Sequence, residues 1–284
     1  MKPPISILSA LFSGIGILAG HASLVAHYKF DETSGTTAVD ELGNSNATIE
    51  GTVGFVAGVD GGAFSFDGST ANNVTVADAA FLVSGSNPAA GPGAGLGGNF
   101  TISAWLSFSD TSTNVGATIT LVDQDGSSNS YADISRIGNG AFGGGLDGNL
   151  IGRTRIGNTI LQNTTADPFG DGSFHHVAFV VDSANSLQEI YVDGLLQSSV
   201  MGTPTLAAFS DLTFGHLDRP SGQTDVDAFT GLIDDVQIYD EALNSSQISY
   251  LANNAGLAVP EPSSLALAGF GAVALMRRKR RTVE

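Results

Sequence analysis

Short runs of alternating apolar and polar residues recur along the chain, separated by Gly, Asn, Asp and Ser. In residues 100–108, Ile102, Ala104 and Leu106 alternate with Thr101, Ser103 and Trp105. A period of two is what a half-buried β-strand requires, because successive side chains point to opposite faces. The pattern predicts strands that include residues 24–30, 63–68, 73–77, 100–108, 118–123, 174–182, 188–194, 212–218 and 229–240.

One helix is predicted, near the end of the same region. Asn244 is placed to cap it, and Gln247 three residues later completes a capping-box sequence. Ile248 and Leu251 would then face the core. Because many strands follow one another without helical spacers, the pattern predicts an all-β antiparallel sandwich and not a parallel α/β sheet.

The first 22 residues have the pattern of a secretory signal peptide. Lys2 precedes a mostly apolar run from Ile5 to Ala19, and small residues lie before a cleavage point predicted after Ala22. The alternative interpretation is a buried N-terminal helix. As a signal peptide, residues 1–22 would not belong to the fold.

Residues 260–284 form a second targeting pattern, which follows a predicted linker at 255–259. Pro260, Glu261 and Pro262 come first, then an apolar run at 265–276, then a basic end at 277–281 that starts with Arg277 and Arg278. As a helix the run would reach about 18 Å, against about 30 Å of bilayer hydrocarbon, so we expect a short, transient anchor. The arginines should remain cytoplasmic.

This tail resembles the PEP-CTERM sorting signal of Gram-negative bacteria in its three parts and their order. The resemblance implies handling by an exosortase-type membrane protease. It further implies export, contact with the inner membrane in transit, and release to the cell surface or the extracellular matrix.

The charge of the chain narrows the choice of partners. The formal net charge is −17, and residues 23–259 alone carry five basic and 26 acidic residues, a net charge of −21. Such a body repels nucleic acid and anionic lipid, and it suits cations and neutral glycans. The chain has no cysteine, which excludes disulfides and thiol catalysis.

Several segments of residues 23–254 resemble the LamG (laminin G-like) family, whose fold is the concanavalin A-like jelly roll. They lie at residues 24–51, 61–69, 100–108, 174–199, 212–217 and 229–251. The resemblance implies two curved antiparallel sheets packed face to face. The middle of the chain, residues 110–170, carries the pattern poorly.

The same resemblance implies a structural Ca²⁺ ion. Related jelly rolls use an aspartate of the last core strand, here Asp234, which alternation places on one face with Leu232, Val236 and Ile238. Asp31 is the expected partner, and Asp67 could add an oxygen. Carboxylate oxygens are suitable calcium ligands. The alternative is that Asp234 only accepts hydrogen bonds from backbone or hydroxyl groups.

A second hypothesis concerns the loops at the rim of the sandwich. Asp225 and Asp227 lie in one acidic turn, and Tyr131 lies in the irregular middle of the chain. They are candidates for a ligand-binding surface, on which an exposed aromatic ring would contact a sugar. The alternatives are solvated acidic turns and an aromatic residue that only packs.

No catalytic motif is evident. Glycoside hydrolysis needs two carboxylates at a defined separation, and no glutamate of the body has the spacing of the family's enzymes. We therefore expect an exported, non-catalytic protein that binds glycan through a calcium-stabilised jelly roll. The alternatives are a protein-adhesion or structural matrix module, and a degenerate polysaccharide hydrolase.

Overall fold

A computed structural model describes residues 23–79, 82, 96, 98–109, 115–122, 130–138, 147–202, 209–218 and 227–260. One compact unit runs from Ala22 to Val259. The predicted signal peptide, most of the two glycine-rich stretches at 84–98 and 138–148, and the sorting tail after Pro260 lie outside the described residues.

The described residues form sixteen strands and one helix. The strands are β1 (Leu24–Tyr28), β2 (Thr37–Ala38), β3 (Ala47–Glu50), β4 (Gly54–Ala57), β5 (Gly62–Asp67), β6 (Asn73–Val76), β7 (Asn99–Ser109), β8 (Gly116–Val122), β9 (Ser130–Arg136), β10 (Leu150–Ile156), β11 (Thr159–Thr164), β12 (Asp171–Asp182), β13 (Leu187–Val192), β14 (Leu195–Met201), β15 (Asp211–Phe214) and β16 (Thr230–Tyr239), and the helix is α1 (Ser245–Asn253).

Two antiparallel sheets make up the fold. The first sheet has the strand order β14-β13-β12-β7-β16-β5-β4, and β1 also pairs with β16. The second sheet has the order β11-β10-β9-β8-β15-β6-β3-β2. The predicted all-β jelly-roll sandwich is therefore confirmed, and each of the nine predicted strands is present.

The core lies between the two sheets and is rich in phenylalanine. The ring centroids of Phe30 and Phe64 are 4.3 Å apart, and the ring of Phe30 meets Phe214 edge-on at 5.2 Å. Ile102, Ala104 and Leu106 of β7 are buried in the same core, as their alternation predicts. Because each buried side chain of this size contributes about 1.5–3 kcal/mol, such a core can hold a chain without disulfides.

Helix α1 covers part of the outer face of the first sheet. The Asn244 side chain accepts hydrogen bonds from the backbone of Ser246 and Gln247, and the Gln247 side chain bonds back to Asn244, which confirms the predicted capping box. Ile248 and Leu251 pack against Tyr191 and its neighbours on that face.

Strand β16 contains a bulge that changes the predicted alternation. Its register against β7 shifts between Asp234 and Gln237, and Asp235 has a φ of +47°. The extra residue turns Val236 and Ile238 into the core. Asp234 instead lies opposite Trp105 on the outer face, so its predicted grouping with those two side chains is wrong.

The segment predicted as a linker, 255–259, is bonded to this strand. The Gly256 N–H donates to Asp235 Oδ2 at 2.6 Å, and the Val259 N–H donates to the Tyr239 hydroxyl at 3.1 Å. Gly256 has a φ of +74°, and a Cβ there would lie 1.8 Å from Asp60 Oδ2. A glycine is needed at this position, and the folded unit extends to the start of the sorting tail.

Candidate functional site

The outer face of the second sheet carries aligned polar side chains. Cross-strand partners in register share a face, so β8 to β11 contribute successive members of each row. One row contains Val122, Tyr131, Arg155 and Ile160, and the next contains Thr120, Asp133, Arg153 and Gln162.

A buried ion pair lies at the centre of this face. Arg153 Nε donates to Asp133 Oδ1 at 3.0 Å, and Arg153 Nη2 donates to Asp133 Oδ2 at 2.6 Å. The Ser135 hydroxyl donates to the same carboxylate. Burial alone would lower the pKa of Arg153, but the Asp133 carboxylate outweighs it and raises the pKa above its usual value. Arg153 is therefore charged, and the two hydrogen bonds fix both side chains.

Arg153 also brings together two of the predicted ligand-binding residues. Its guanidinium lies 5.5 Å from the centroid of the Tyr131 ring, and its Nη2 is 3.9 Å from Asp227 Oδ2. Tyr131 and Asp227 are far apart in the sequence, so the sequence alone did not indicate that both lie beside Arg153. Asp225, the third predicted residue, lies outside the described residues.

Tyr131 is not the exposed aromatic platform that the sequence led us to expect. It belongs to strand β9 and not to an irregular loop, and only 2% of it is exposed. It packs with Ala117, Val122 and Leu217. The ring instead supports the guanidinium groups of Arg153 and Arg155, which lie 5.5 and 5.8 Å from its centroid.

The accessible part of this face lies at β10 and β11, two strands that were not predicted from the sequence. Arg155 and Gln162 are partly exposed, and Ile160 is 49% exposed. The Arg155 Nε–H donates to the Gly157 carbonyl at 2.8 Å, and Gln162 Nε2 donates to Thr164 Oγ1 at 3.2 Å. The scarcity of basic residues was the one sequence signal that could have drawn attention to Arg155.

A second cluster surrounds Asp234, where the turn between β4 and β5 folds over the first sheet. Asp234 Oδ2 accepts from the Val59 N–H at 2.6 Å, and Asp31 Oδ1 accepts from the Gly62 N–H at 2.6 Å. Glycine is needed in this turn, because a Cβ at Gly61 would lie 2.0 Å from Asp31 Oδ1. The structure therefore places Asp31 and Asp234, the two residues expected to share a calcium ion, at one turn.

The environment of Asp234 is unusual for a carboxylate. Its Oδ1 is buried and has no hydrogen-bond partner among the described residues. Burial, reinforced by the charge of Asp235, raises the pKa of Asp234 to about 7 against the hydrogen bonds from Val59 and Asp60. A buried charge of this kind requires either a proton or a positive partner.

Asp67 does not join this cluster. It lies opposite Thr230 at the end of β5 that is remote from the turn, where it accepts from the Ser69 N–H at 3.0 Å and from Asn72 Nδ2 at 2.8 Å. Within the described ranges, no group of three or more His, Cys, Asp or Glu side chains is arranged to hold a metal ion.

Asp235, beside Asp234 in the bulge, has a different role. It accepts hydrogen bonds from His27 Nε2 at 2.6 Å and from the Gly256 N–H at 2.6 Å. Burial opposes its ionisation, but these bonds prevail and lower its pKa. Asp235 thus links β1, β16 and the C-terminal segment.

The adjacent histidines of β12 do not form a joint site. His176 bonds to the Ser103 hydroxyl at 2.8 Å, and burial lowers its pKa to about 4. His175 lies between Asp193 and Asp171, at 2.8 and 3.3 Å. The two rings have different partners, as expected for neighbours on a strand.

Comparison with known families agrees with the fold. The family model described as the concanavalin A-like lectin/glucanases superfamily matches residues 83–249, more than half of the chain. The chain therefore belongs to this superfamily, within which the matching model is a laminin G type. Among curated proteins, none matches the chain significantly.

The C-terminal residues match a sorting motif. Residues 258–281 match the PEP-CTERM protein-sorting motif, which indicates export and membrane-associated sorting in Gram-negative bacteria. The expectation of this signal is confirmed. In the described part of the chain, the one helix is not long and apolar enough to cross a membrane.

Solved structures with a similar fold include binding domains. Domain 4 of AbnA, a GH43 extracellular arabinanase from Geobacillus stearothermophilus in complex with arabinotriose, is 24% identical with a TM-score of 0.58, over 82% of this chain and 99% of that one. The binding domain of Paraclostridial Mosquitocidal Protein 1 is 19% identical with a TM-score of 0.57, over 81% of this chain and 52% of that one.

A third similar structure is that of botulinum neurotoxin type C, whose cell entry depends on interaction with two ganglioside molecules. It is 16% identical with a TM-score of 0.58, over 81% of this chain and 51% of that one. This chain thus spans about half the length of the two toxin chains. At these identities the similarity establishes the fold alone.

The raised pKa of Asp234 predicts a pH-dependent stability. The pKa of the Asp234 carboxyl is ordinarily 3.8 and is about 7 in the folded domain. The carboxyl therefore stabilises the folded state fully below pH 3.8, and this contribution is lost as the pH rises through 7. We expect the melting temperature of the wild type, measured with a calcium chelator present, to fall between pH 5 and pH 8. This fall should exceed that of the Asp234→Asn variant by about 2–4 °C. The exposed Asp67→Asn should behave as wild type, and equal pH profiles for all three would refute this account.

Proposed function

We propose that the exported domain binds glycan without catalysis, at the cell surface or in the extracellular matrix. The observation that carries the proposal is the prearranged polar face of β9 to β11. There the Asp133–Arg153 pair fixes the central side chains, and Arg155, Gln162 and Thr164 are partly exposed beside them. Export and sorting through the PEP-CTERM tail would deliver the domain to such glycans.

Sugar hydroxyls need hydrogen-bonding groups in fixed positions. Side chains that are already ordered lose little conformational entropy on binding, which leaves more of the interaction energy for affinity. The described groups supply guanidinium and amide donors, hydroxyl oxygens and one apolar side chain, Ile160. This mixture suits the polar edges and apolar faces of a sugar ring.

Two of the similar structures support the choice of ligand. The AbnA domain is in complex with arabinotriose, and entry of the type C neurotoxin depends on gangliosides. The fold therefore serves glycan recognition in other proteins. Because fold similarity does not transfer a ligand, these examples support the class of ligand and not its identity.

A non-catalytic role fits the arrangement of acids on this face. Hydrolysis requires one carboxyl to donate a proton while another carboxylate acts as base or nucleophile. Asp133 is held in a two-fold hydrogen bond with Arg153, and Asp227 lies 3.9 Å from the same guanidinium. Both carboxylates are thus engaged with the same guanidinium, and among the described residues neither is placed with a second free carboxyl as a hydrolytic pair would be.

We further propose that the Asp234 cluster holds a structural Ca²⁺ ion. The unpartnered Oδ1 of Asp234 is an oxygen ligand that calcium would accept, and Asp31 lies at the same turn. Since the described residues supply no cluster of three acidic or histidine ligands, backbone carbonyls and water would complete the shell. The ion would neutralise a buried charge and fix the turn at residues 58–61.

Calcium should stabilise the folded domain. At a hundredfold excess over its dissociation constant, Ca²⁺ should raise the melting temperature of residues 23–259 by roughly 5–10 °C relative to chelator. Asp234→Asn should abolish the increase, whereas Asp67→Asn should retain it. An unchanged melting temperature on addition of Ca²⁺, or an equal increase in Asp234→Asn, would rule out this site.

Glycan binding can be tested with the host's matrix polysaccharide. Residues 23–259 should be retained on the immobilised polymer, and Gln162→Ala should weaken retention about two- to tenfold through loss of a sugar hydrogen bond. Gln197→Ala, on strand β14, is the matched control and should bind as wild type. No retention of wild type in either Ca²⁺ or chelator would contradict the proposed function.

A structural matrix role is the second candidate, and strand β14 favours it. In the described part of the first sheet β14 is the edge strand, it has no charged residue, and its Leu195 and Met201 are 68% and 72% exposed. Edge strands of this kind pair readily with another chain. In a body with a net charge of −21, an uncharged edge of this kind reduces the repulsion between two copies.

Light scattering distinguishes this second function. Self-association through β14 predicts dimers or larger species at micromolar concentration, and Met201→Lys should return the protein to monomer. Val39→Lys alters another exposed apolar residue and should have no effect. A monomeric wild type would exclude the structural alternative.

A further inference from the structure

Arg155 differs from Lys29 and Arg153 in its surroundings. Lys29 lies 3.8 Å from Asp60, and Arg153 is paired with Asp133. For Arg155, in contrast, no described carboxylate lies within ion-pair distance, although the body contains 26 acidic residues. Because no described carboxylate neutralises this cation, its guanidinium is available to an anionic ligand.

The guanidinium of Arg155 is oriented by the protein. Its Nε–H donates to the Gly157 carbonyl, and its Cζ lies 5.8 Å from the centroid of the Tyr131 ring. These contacts use one edge of the group and leave both terminal nitrogens for another acceptor. The planar fork of an arginine matches a carboxylate, with which it forms two parallel charge-assisted hydrogen bonds.

The neighbouring side chains on the same face are those that a sugar ring could contact. Ile160 of β11 lies opposite Arg155, and Gln162 lies opposite Arg153 in the next row. Ile160 is about half exposed, and Gln162 is held by its bond to Thr164. A carboxylate at Arg155 would therefore place the rest of its ring over an apolar side chain and an amide.

We infer that Arg155 binds the carboxylate of a uronic acid residue, so that the ligand is an acidic glycan; this rests on the proposed glycan-binding function. It departs from the expectation of a neutral glycan, which was based on net charge. At physiological salt, charges more than about 8 Å away are largely screened, so the local surroundings of Arg155 count more than the distant acids.

The test compares two polymers and two matched variants of residues 23–259. Polygalacturonate is one probe, and the same polymer with its carboxylates reduced to alcohols is the other. Wild type should bind polygalacturonate more tightly than the reduced polymer, and Arg155→Gln should weaken polygalacturonate binding about ten- to a hundredfold. Lys29→Gln removes the same charge from another part of the body and should have little effect.

Each outcome bears on a defined claim. Equal affinity of wild type for the two polymers, or equal weakening by Arg155→Gln and Lys29→Gln, would overturn the inference while leaving glycan binding intact. Failure of wild type to bind either these polymers or the host polysaccharide would reject the proposed function as well. The comparison of polymers uses wild type alone, so it holds even where Arg155→Gln alters folding.

Discussion

The buried pair of Arg153 and Asp133 is the interaction on which the proposed binding face depends. Removal of one partner from such a pair leaves a buried charge and typically costs about 3–5 kcal/mol. The pair fixes Ser135 on one side and the ring of Tyr131 on the other. The Tyr131 ring in turn packs against Arg155. The buried Arg153–Asp133 pair therefore helps to hold the partly exposed guanidinium of Arg155 in place.

The bulge of β16 has a comparable role on the first sheet. By adding one residue to the strand, it directs Asp234 to the turn at residues 58–61 and Asp235 to His27 and Gly256. One local irregularity thereby connects the first strand, the β4–β5 turn and the C-terminal segment. The folded unit ends at Val259, and the match to the sorting motif covers residues 258–281.

Much of the fold could be predicted from the sequence, because strands with one apolar and one polar face show their period directly. Strand β7 is an example, with Ile102 and Leu106 in the core. Strands β9 and β10 were missed because they are buried on both faces and place charged side chains on the outer one. Burial of Asp133 and Arg153 as a pair hides the alternation that a strand usually displays.

The candidate sites depended on information that one sequence does not carry. The proximity of Tyr131, Arg153 and Asp227 depends on strand register and on tertiary contact, neither of which is local. The position of Asp234 depends on a bulge, which shifts alternation by one residue. Of the candidates chosen from the sequence, Asp31 and Asp234 lie at one turn and Asp227 lies beside Arg153, whereas Arg155 and Gln162 were not among them.

Hydrogen–deuterium exchange of residues 23–259, with and without a bound oligosaccharide of the matrix polymer, tests the location of the binding face most directly. Our account predicts slower exchange at residues 150–164, which contain β10 and β11, and little change in β16. Protection confined to β16 and the turn at 58–61, or protection at β14 alone, would contradict the assignment of the outer face of the second sheet as the glycan-binding site.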